Sequence, residues 1–247
     1  MPNIVAIIGG SKGIGLAIAR EYLKFGFFPI FVSRGKPELI CNNQKHIPID
    51  IDDQYNRENA ISKLTQYFLE VSIERISCHF LSGGSLGIYR NNGITSIELC
   101  QRILLHNLSF PYWSASLINQ QLTGQKCEIE FHFYSSSAAF NRSTHCLYAS
   151  AKLGLEEVFR DFAIKQGTNR YSFLYRLGIV LVEHKYLTKL SSSEPAKYDK
   201  IISESIPTGY ALKPNEVARV VWEASLKRKA CNAMIMDISG GNSWMRF

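Results

Sequence analysis

The chain has 247 residues, a formal net charge of +7 and a hydrophobic fraction of 46%. This composition is ordinary for a globular protein and argues against a disordered or fibrous chain. We expect no secretion signal, and no stretch approaches the roughly 20 apolar residues that a membrane-spanning helix needs.

Cysteines and basic residues are both scattered along the chain. The six cysteines form no C-x-x-C pair and no Cys/His cluster at metal-ligand spacing, so we expect reduced thiols, no metal and a cytoplasmic location. The densest basic cluster is KRK at 227–229. The hypothesis that the protein binds nucleic acid is therefore supported by its net charge alone. We expect neither a nucleic-acid nor a membrane partner.

Short apolar runs alternate with segments of helical periodicity along the whole chain. The predicted strands are 4–8, 28–32, 46–49, 76–81, 128–134, 171–177 and 232–238; the predicted helices are 14–25, 61–71, about 95–120, 148–166 and about 215–226. Wholly apolar runs such as IVAII are typical of strands buried on both faces. The pattern predicts an α/β fold with a Rossmann-like, doubly wound parallel sheet of about seven strands and helices on both faces. Residues 1–247 are predicted to form a single domain.

The segment IIGGSKGIG lies between the first predicted strand and the first helix. Gly9, Gly13 and Gly15 allow a tight turn and let a phosphate group approach backbone N–H groups at the positive end of the helix. Their spacing resembles the first turn of the short-chain dehydrogenase/reductase family, which usually has a threonine where Ile8 stands. The resemblance adds three further cofactor-binding residues in this turn, Ser11, Lys12 and Ile14.

The segment YASAK places Tyr148 and Lys152 at the Y-x-x-x-K spacing that is the signature of the same family. Residues i and i+4 share a helix face, so the ammonium can lie beside the phenol and lower its pKa. The resemblance implies that Tyr148 exchanges a proton with the substrate oxygen while hydride moves to or from nicotinamide, and that both residues contact the cofactor. For these two residues alone, an ordinary pair on a helix surface is the alternative.

Two further segments resemble parts of the family's catalytic tetrad. In YSSSAA (134–139), the alanines favour Ser136 as the catalytic serine, whereas the commoner spacing to the tyrosine favours Ser135; the sequence leaves this choice open. In LLHNLSF (104–110), Asn107 would be the tetrad asparagine that helps hold a proton-relay water, and a buried structural amide is the alternative. The resemblance covers nearly the whole chain. Within the family, the chain resembles the 3-oxoacyl-[acyl-carrier-protein] reductase-like members.

The chain departs from the family pattern at two turns. LSGGSLG replaces the usual N-N-A-G and leaves Ser82 and Gly83 as the implied cofactor contacts. Leu177–Gly178 replaces the usual P-G, and Val180 is still expected to offer backbone atoms to the carboxamide. These changes leave open a catalytically weak relative that binds nucleotide for a structural or regulatory role.

The end of the second predicted strand indicates which cofactor the site prefers. Ser33 stands where an NAD-preferring site usually places an acid, and Arg34 follows it. Arg34 and Lys12 would suit the 2′-phosphate of NADP (NADPH), although two solvated surface cations are the alternative. Asp50 and Ile51 resemble the position that receives the adenine ring.

These features predict an NADPH-dependent carbonyl reductase or alcohol dehydrogenase that acts on a small-molecule ketone or secondary alcohol in a biosynthetic pathway. Residues 182–213 fall where the family carries its substrate lid. Basic residues in the lid would suit an anionic or carrier-linked substrate, although solvated charges on the lid are the favoured explanation; the residues are His184, Lys185, Lys189, Lys197 and Lys200. The sequence leaves the substrate and the direction of reaction open.

Apolar residues on two long predicted helices indicate assembly of several copies. In the family, the helices equivalent to 95–120 and 148–166 pair across two-fold axes, so the resemblance implies a homodimer or homotetramer. Packing against the sheet is the alternative for the same residues, which are Leu104, Leu105, Phe110, Leu155 and Phe162.

Overall fold

The computed structural model describes residues 2–81, 96–140, 146–183, 186–206 and 208–240. Within these ranges, seven strands pair in parallel to form one sheet, in the order β3-β2-β1-β4-β5-β6-β7. The strands are β1 Asn3–Ile8, β2 Phe27–Ser33, β3 Lys45–Pro48, β4 Arg75–Phe80, β5 Glu128–Ser136, β6 Arg170–Leu177 and β7 Met234–Ile238. The Rossmann-like sheet predicted from the alternating pattern is therefore confirmed.

Helices cover both faces of this sheet. They are α1 Gly13–Leu23, α2 Gln54–Glu70, α3 Ile97–Leu104, α4 Phe110–Gln121, α5 Cys146–Lys165, α6 Tyr186–Ser193, α7 Pro195–Ser205 and α8 Pro214–Leu226. Side chains of successive strand residues point to opposite faces. In β1, Val5 and Ile7 pack in the core beneath α1 and α8, whereas Ile4 and Ile8 pack in the core beneath α2, α4 and α5.

Two of the predicted helices differ from the observed ones, and α6 and α7 are additional helices within residues 182–213, the predicted lid. Helix α2 begins at Gln54 rather than at residue 61, because the Asp53 carboxylate accepts a 2.9 Å hydrogen bond from the Asn56 N–H and caps a polar first turn. The predicted long helix at 95–120 is interrupted by a π-helical turn, Leu105–Ser109, between α3 and α4. Such single turns occur frequently at functional sites.

Strand β5 continues past its predicted end at residue 134. Ser135 and Ser136 pair in register with Arg176 and Leu177 of β6, so both serines are still part of the sheet. Ser136 is the last residue of the strand and lies at its carboxyl end, whereas Ser135 lies one position further inside the sheet.

The strand order places a crevice beside β1. The chain runs outward from β1 to β2 and β3, and then returns to the other side of β1 as β4. In open parallel sheets, ligands bind outside the carboxyl ends of the strands at this kind of reversal. None of the described helices is both long and apolar enough to cross a bilayer.

Candidate active site and nucleotide cleft

The glycine turn after β1 is tightly closed. Gly9 and Gly13 have positive φ values of 92° and 55°, which only glycine adopts readily. A Cβ atom on Gly15 would lie 2.2 Å from the Gly10 carbonyl oxygen, so any side chain there would force the turn open. The turn therefore requires glycine at these positions for backbone reasons.

The start of α1 is suited to an anion. Lys12 occupies the N-cap position without a side-chain hydrogen bond to the helix, and the first turn carries no acidic residue. Ser11 and Ile14 flank this N-terminus. Unsatisfied N–H groups and the helix dipole favour a phosphate here. The residues present thus fit the diphosphate of a dinucleotide.

The end of β2 brings Arg34 next to this turn. A Cβ atom built on Gly35 would lie 3.7 Å from the Ser11 hydroxyl oxygen, so the loop after β2 approaches the glycine turn directly. Arg34 and Lys12 are exposed, and neither forms an ion pair with any residue that the structure describes. The Ser33 hydroxyl instead donates to the Gly35 carbonyl at 2.9 Å and is buried.

The other predicted nucleotide contacts lie around the same edge of the sheet. Ile51 is buried, and the Asp50 carboxylate accepts a 3.1 Å hydrogen bond from the Asp52 N–H within its own turn. Val180 follows β6 and pairs with Leu212 in an isolated parallel bridge. Ser82 and Gly83 lie outside the described residues.

Tyr148 and Ser136 meet at the carboxyl end of β5. Ser136 ends the strand and Tyr148 lies in the first turn of α5, where it is partly buried. Burial raises the pKa of Tyr148, and the hydrogen bond with the Ser136 hydroxyl opposes this rise. The sequence predicted that Lys152 would lower the pKa of Tyr148, whereas this pKa is raised. The phenol has lost contacts with water, and the lysine Nζ lies 5.7 Å from the ring centroid.

Lys152 points into the protein rather than along the helix surface. Its Nζ donates a 2.8 Å hydrogen bond to the backbone carbonyl of Tyr134, and burial lowers its pKa to about 8. The alternative of an ordinary exposed helix pair does not fit a lysine that is only 5% exposed. Sequence reasoning did not identify the Tyr134 carbonyl as its partner, since no side-chain pattern marks it.

Ser135 has a different environment from Ser136. Its hydroxyl donates a 2.7 Å hydrogen bond to Glu156, on the inner face of α5, and is buried. Glu156 is held in turn by Arg176 of β6 at 2.7 Å. The structure thus brings Ser136, and not Ser135, to Tyr148. The only sequence signal for Glu156 was an acidic residue within the apolar stripe of a helix, one turn after Lys152.

Asn107 lies in the π-helical turn and is 4% exposed. Its Nδ2 donates to the Ile103 carbonyl at 3.0 Å, whereas its buried Oδ1 has no hydrogen-bond partner among the described residues. Helix α5 packs closely on the same turn, because a Cβ on Gly154 would lie 3.2 Å from a Leu108 methyl carbon. A buried amide with one unpaired oxygen is suited to a water that links polar groups.

The predicted lid contains two short helices, α6 and α7. Its first residues lie against the glycine turn, since a Cβ on Gly13 would lie 2.7 Å from Val182 Cγ1. Two of its lysines form ion pairs within the lid: Lys197 with Glu194 at 3.2 Å and Lys200 with Glu204 at 4.0 Å. His184 and Lys185 lie outside the described residues. All six cysteines are free, and no metal-binding cluster occurs in the described parts of the chain.

The chain is similar to known proteins in its fold rather than in its sequence. No family model and no curated protein sequence matches the chain. Solved structures do match over almost its whole length. A variant of ElxO with NADPH bound has a TM-score of 0.81 and 21% identity, and covers 98% of this chain and 98% of its own.

Two further solved structures are similar. One is 4-hydroxyisoleucine dehydrogenase complexed with NADH, with a TM-score of 0.77, 16% identity, and coverage of 97% of this chain and 98% of that one. The other is a short-chain dehydrogenase from Bacillus anthracis, with a TM-score of 0.74, 17% identity, and coverage of 97% and 95%. The chain therefore has the fold of the short-chain dehydrogenases.

Proposed function

We propose that this protein is an NADPH-dependent oxidoreductase that transfers hydride between nicotinamide and a ketone or secondary alcohol. The observation that carries the proposal is the meeting of Ser136, Tyr148 and Lys152 at the carboxyl end of β5, along the same sheet edge as the glycine turn. A phenol, a hydroxyl and an ammonium at one point can bind and protonate a carbonyl oxygen.

The residues around the glycine turn fit a nicotinamide dinucleotide, which would supply or accept the hydride when bound. The N-terminus of α1, with Gly9, Gly13 and Gly15, would hold the diphosphate. Val180 and Ile51 would contact the two ends of the molecule. The fold likeness supports a nicotinamide cofactor of either kind, because one similar structure holds NADPH and another NADH.

The preference for NADPH rests on this chain's own charges. Arg34 and Lys12 flank the end of β2 with no acidic partner among the described residues, and Ser33 occupies the place of a repelling carboxylate. A guanidinium offers planar donors that match a phosphate. An exposed, unpaired arginine at this point supports recognition of the 2′-phosphate.

In the direction of reduction, the Tyr148 phenol would donate its proton to the carbonyl oxygen of the substrate. The Ser136 hydroxyl would hold that oxygen with a hydrogen bond, and Lys152 would stabilise the phenolate that remains. Asn107, whose Oδ1 has no hydrogen-bond partner in the described part of the chain, would help to return a proton to Lys152 by way of water. One hydride and one proton are then added across the C=O bond, which becomes a secondary alcohol.

The substrate is proposed to be a small-molecule ketone, covered by the lid of α6 and α7. Lys197 and Lys200 are already paired with acidic neighbours, so the lid gives little support to an anionic or carrier-linked substrate. Three statements remain predictions from the sequence. They are the resemblance to 3-oxoacyl-[acyl-carrier-protein] reductase-like members, the biosynthetic role and the cytoplasmic location.

Assembly into a homodimer is also part of the proposal, although three of the five apolar residues expected at the contact are buried within the protein. Phe110, Leu155 and Phe162 pack in the core, which explains their apolar character without a partner. A shallow apolar groove instead lies between α4 and α5, lined by Leu108, Ser109, Tyr112, Trp113, Ser116 and Val158. A second copy of the same surface would cover it.

The test is oxidation of NADPH with a panel of ketones, comparing wild type with Tyr148→Phe. The substitution keeps the ring but removes the transferable proton, so turnover should fall by about 10²–10⁴ while NADPH affinity stays within twofold. NADPH binding without turnover of any ketone would favour the alternative of a catalytically weak, nucleotide-binding protein. A Tyr148→Phe variant as active as wild type would overturn the proposed chemistry.

A further inference from the structure

Three consecutive residues of β5 contact three residues of α5 that lie one helical turn apart. The Tyr134 carbonyl accepts from Lys152, the Ser135 hydroxyl donates to Glu156, and the Ser136 hydroxyl bonds Tyr148. Residues i, i+4 and i+8 of a helix lie along one face. The end of the strand is therefore joined to the helix at each of its last three positions.

The middle contact differs from the other two because a buried ion pair supports it. Arg176 Nε lies 3.0 Å and 3.1 Å from the two Glu156 oxygens, and its terminal nitrogen lies 2.7 Å from Oε2. Glu156 is 3% exposed. Ser135 and Arg176 are direct partners in the register of β5 and β6, so both side chains reach the same carboxylate from the sheet.

The arginine also contacts the segment that follows β5. Its guanidinium carbon lies 4.2 Å from the centroid of the Phe140 ring. Phe140 stands between Ser136 and Tyr148 in the chain, next to the short 3₁₀ turn Ser137–Ala139 that the Ser136 hydroxyl caps at 3.2 Å. One ion pair therefore touches the strand end, the helix and the connecting segment.

A buried ion pair gives little net stability, because desolvation of both charges offsets their attraction. Its value lies in geometry, since a bidentate guanidinium–carboxylate contact allows few orientations. We infer that Glu156 and Arg176 are positioning residues, which act through Ser135 to hold Ser136 in contact with Tyr148. The inference rests on the proposed function, and it gives Ser135 a role in linking the strand to the helix rather than in binding the substrate.

The test substitution is Glu156→Gln, and its matched control is Glu130→Gln. Glu130 lies on the same strand as Ser135, about 17 Å away along the strand. It is also fully buried and pairs with an arginine, Arg75. Both substitutions replace a buried carboxylate by an amide of the same shape, and both remove the negative charge that faces an arginine. Only Glu156 touches the proposed site.

The first measurement follows the ionisation of Tyr148 in the complete protein without added ligand. Ultraviolet difference absorbance of each variant, minus that of the same variant carrying Tyr148→Phe, isolates this phenol from the other tyrosines. We expect Glu156→Gln to raise the pKa of Tyr148 by about half a unit or more, because the phenolate loses the hydrogen bond from Ser136. Glu130→Gln should leave it unchanged.

The second measurement uses a ketone found in the panel. Glu156→Gln should lower kcat about tenfold or more, with the KM for NADPH within twofold, since the nucleotide cleft is untouched. Ser135→Ala preserves the Glu156–Arg176 pair and removes only the link, so it should change both quantities in the same directions. It also serves as the test variant if Glu156→Gln does not fold.

The outcomes separate the two proposals. If Tyr148 ionises in Glu156→Gln and in Ser135→Ala as it does in wild type, the positioning role is wrong, whatever the activity. If no ketone is reduced by wild type, the proposed function fails, and the ionisation of Tyr148 still decides the positioning role. If Glu130→Gln shifts Tyr148 as much as Glu156→Gln does, the effect is one of general destabilisation and the inference is overturned.

Discussion

The Nζ of Lys152 donates a 2.8 Å hydrogen bond to the backbone carbonyl of Tyr134, which joins the candidate active-site helix to the end of β5. The ammonium is thereby held by a carbonyl dipole in a buried position, and burial lowers its pKa to about 8. The charge of the candidate site therefore depends on where β5 ends, as well as on the Y-x-x-x-K spacing of the helix.

This relationship predicts a pH-dependent contribution to stability. The pKa of Lys152 is about 8 in the folded chain, against an ordinary value of 10.5, so between these values the unfolded chain binds more protons. The contribution to the free energy of unfolding then rises with pH, by at most about 1.4 kcal/mol per unit. We expect wild type to gain stability over Lys152→Met as the pH rises from about 8 to 10. Urea unfolding of both proteins checks this, and a difference independent of pH would contradict it.

Arg34 is predicted to determine the preference for NADPH. Loss of a charge-assisted contact with phosphate costs about 1.5–3 kcal/mol, so Arg34→Ala should weaken NADPH binding about tenfold or more. NADH lacks the 2′-phosphate and should bind the variant as it binds wild type. Calorimetric titration of both nucleotides measures the two affinities.

The control for this substitution is Arg160→Ala. Arg160 lies on α5 with 57% of its side chain exposed, and its removal changes the net charge equally. It should alter the affinity for neither nucleotide. Equal or tighter binding of NADH by wild type would remove the argument for NADP specificity.

His79 and His132 are predicted to make the fold sensitive to acid. Their rings are fully buried and stack at 4.2 Å, and burial lowers the pKa of both well below 6.5. A histidine whose pKa is depressed by folding is protonated more readily in the unfolded chain. Stability is therefore lost as the pH falls below about 6.5, by up to about 1.4 kcal/mol per unit for each ring.

The comparison that checks this effect is wild type against His79→Gln, which removes one of the two titrating rings. Other buried groups such as Glu130 titrate in both proteins, so the difference in slope isolates His79. Between pH 6.5 and 4.5, we expect the free energy of unfolding to fall less steeply in the variant. Equal pH slopes for the two proteins in urea unfolding would show that His79 is protonated as readily in the folded chain as in the unfolded chain.

The groove between α4 and α5 is predicted to be the contact between two copies. Ser116 lies in this groove, and Ser116→Glu would place two like charges close together across a two-fold axis. We expect wild type to be a dimer and Ser116→Glu a monomer by light scattering at micromolar concentration. Ile164→Glu, at a position on α5 that is 85% exposed and outside the groove, should remain a dimer. A monomeric wild type would rule out this prediction.

Much of the fold could be predicted from the sequence because the information is local. Apolar runs such as residues 4–8 identify strands buried on both faces, and Gly15 identifies the closed turn that only a hydrogen side chain permits. The helical repeat places Lys152 one turn after Tyr148 whatever surrounds them. These features predicted the parallel α/β sheet of about seven strands with helices on both faces, and the spacing of Tyr148 and Lys152 on one helix.

The tertiary structure decided what depends on contacts between distant residues. Whether Ser135 or Ser136 meets Tyr148 depends on pairing with β6, which carries β5 past residue 134 and leaves Ser136 at the end of the strand. Glu156 is an acidic residue within an apolar stripe of its helix. Its burial is explained by Arg176, the ion-pair partner 20 residues away in the chain. Local sequence determines secondary structure and spacing, whereas the orientation of a buried polar side chain depends on partners that folding alone brings near.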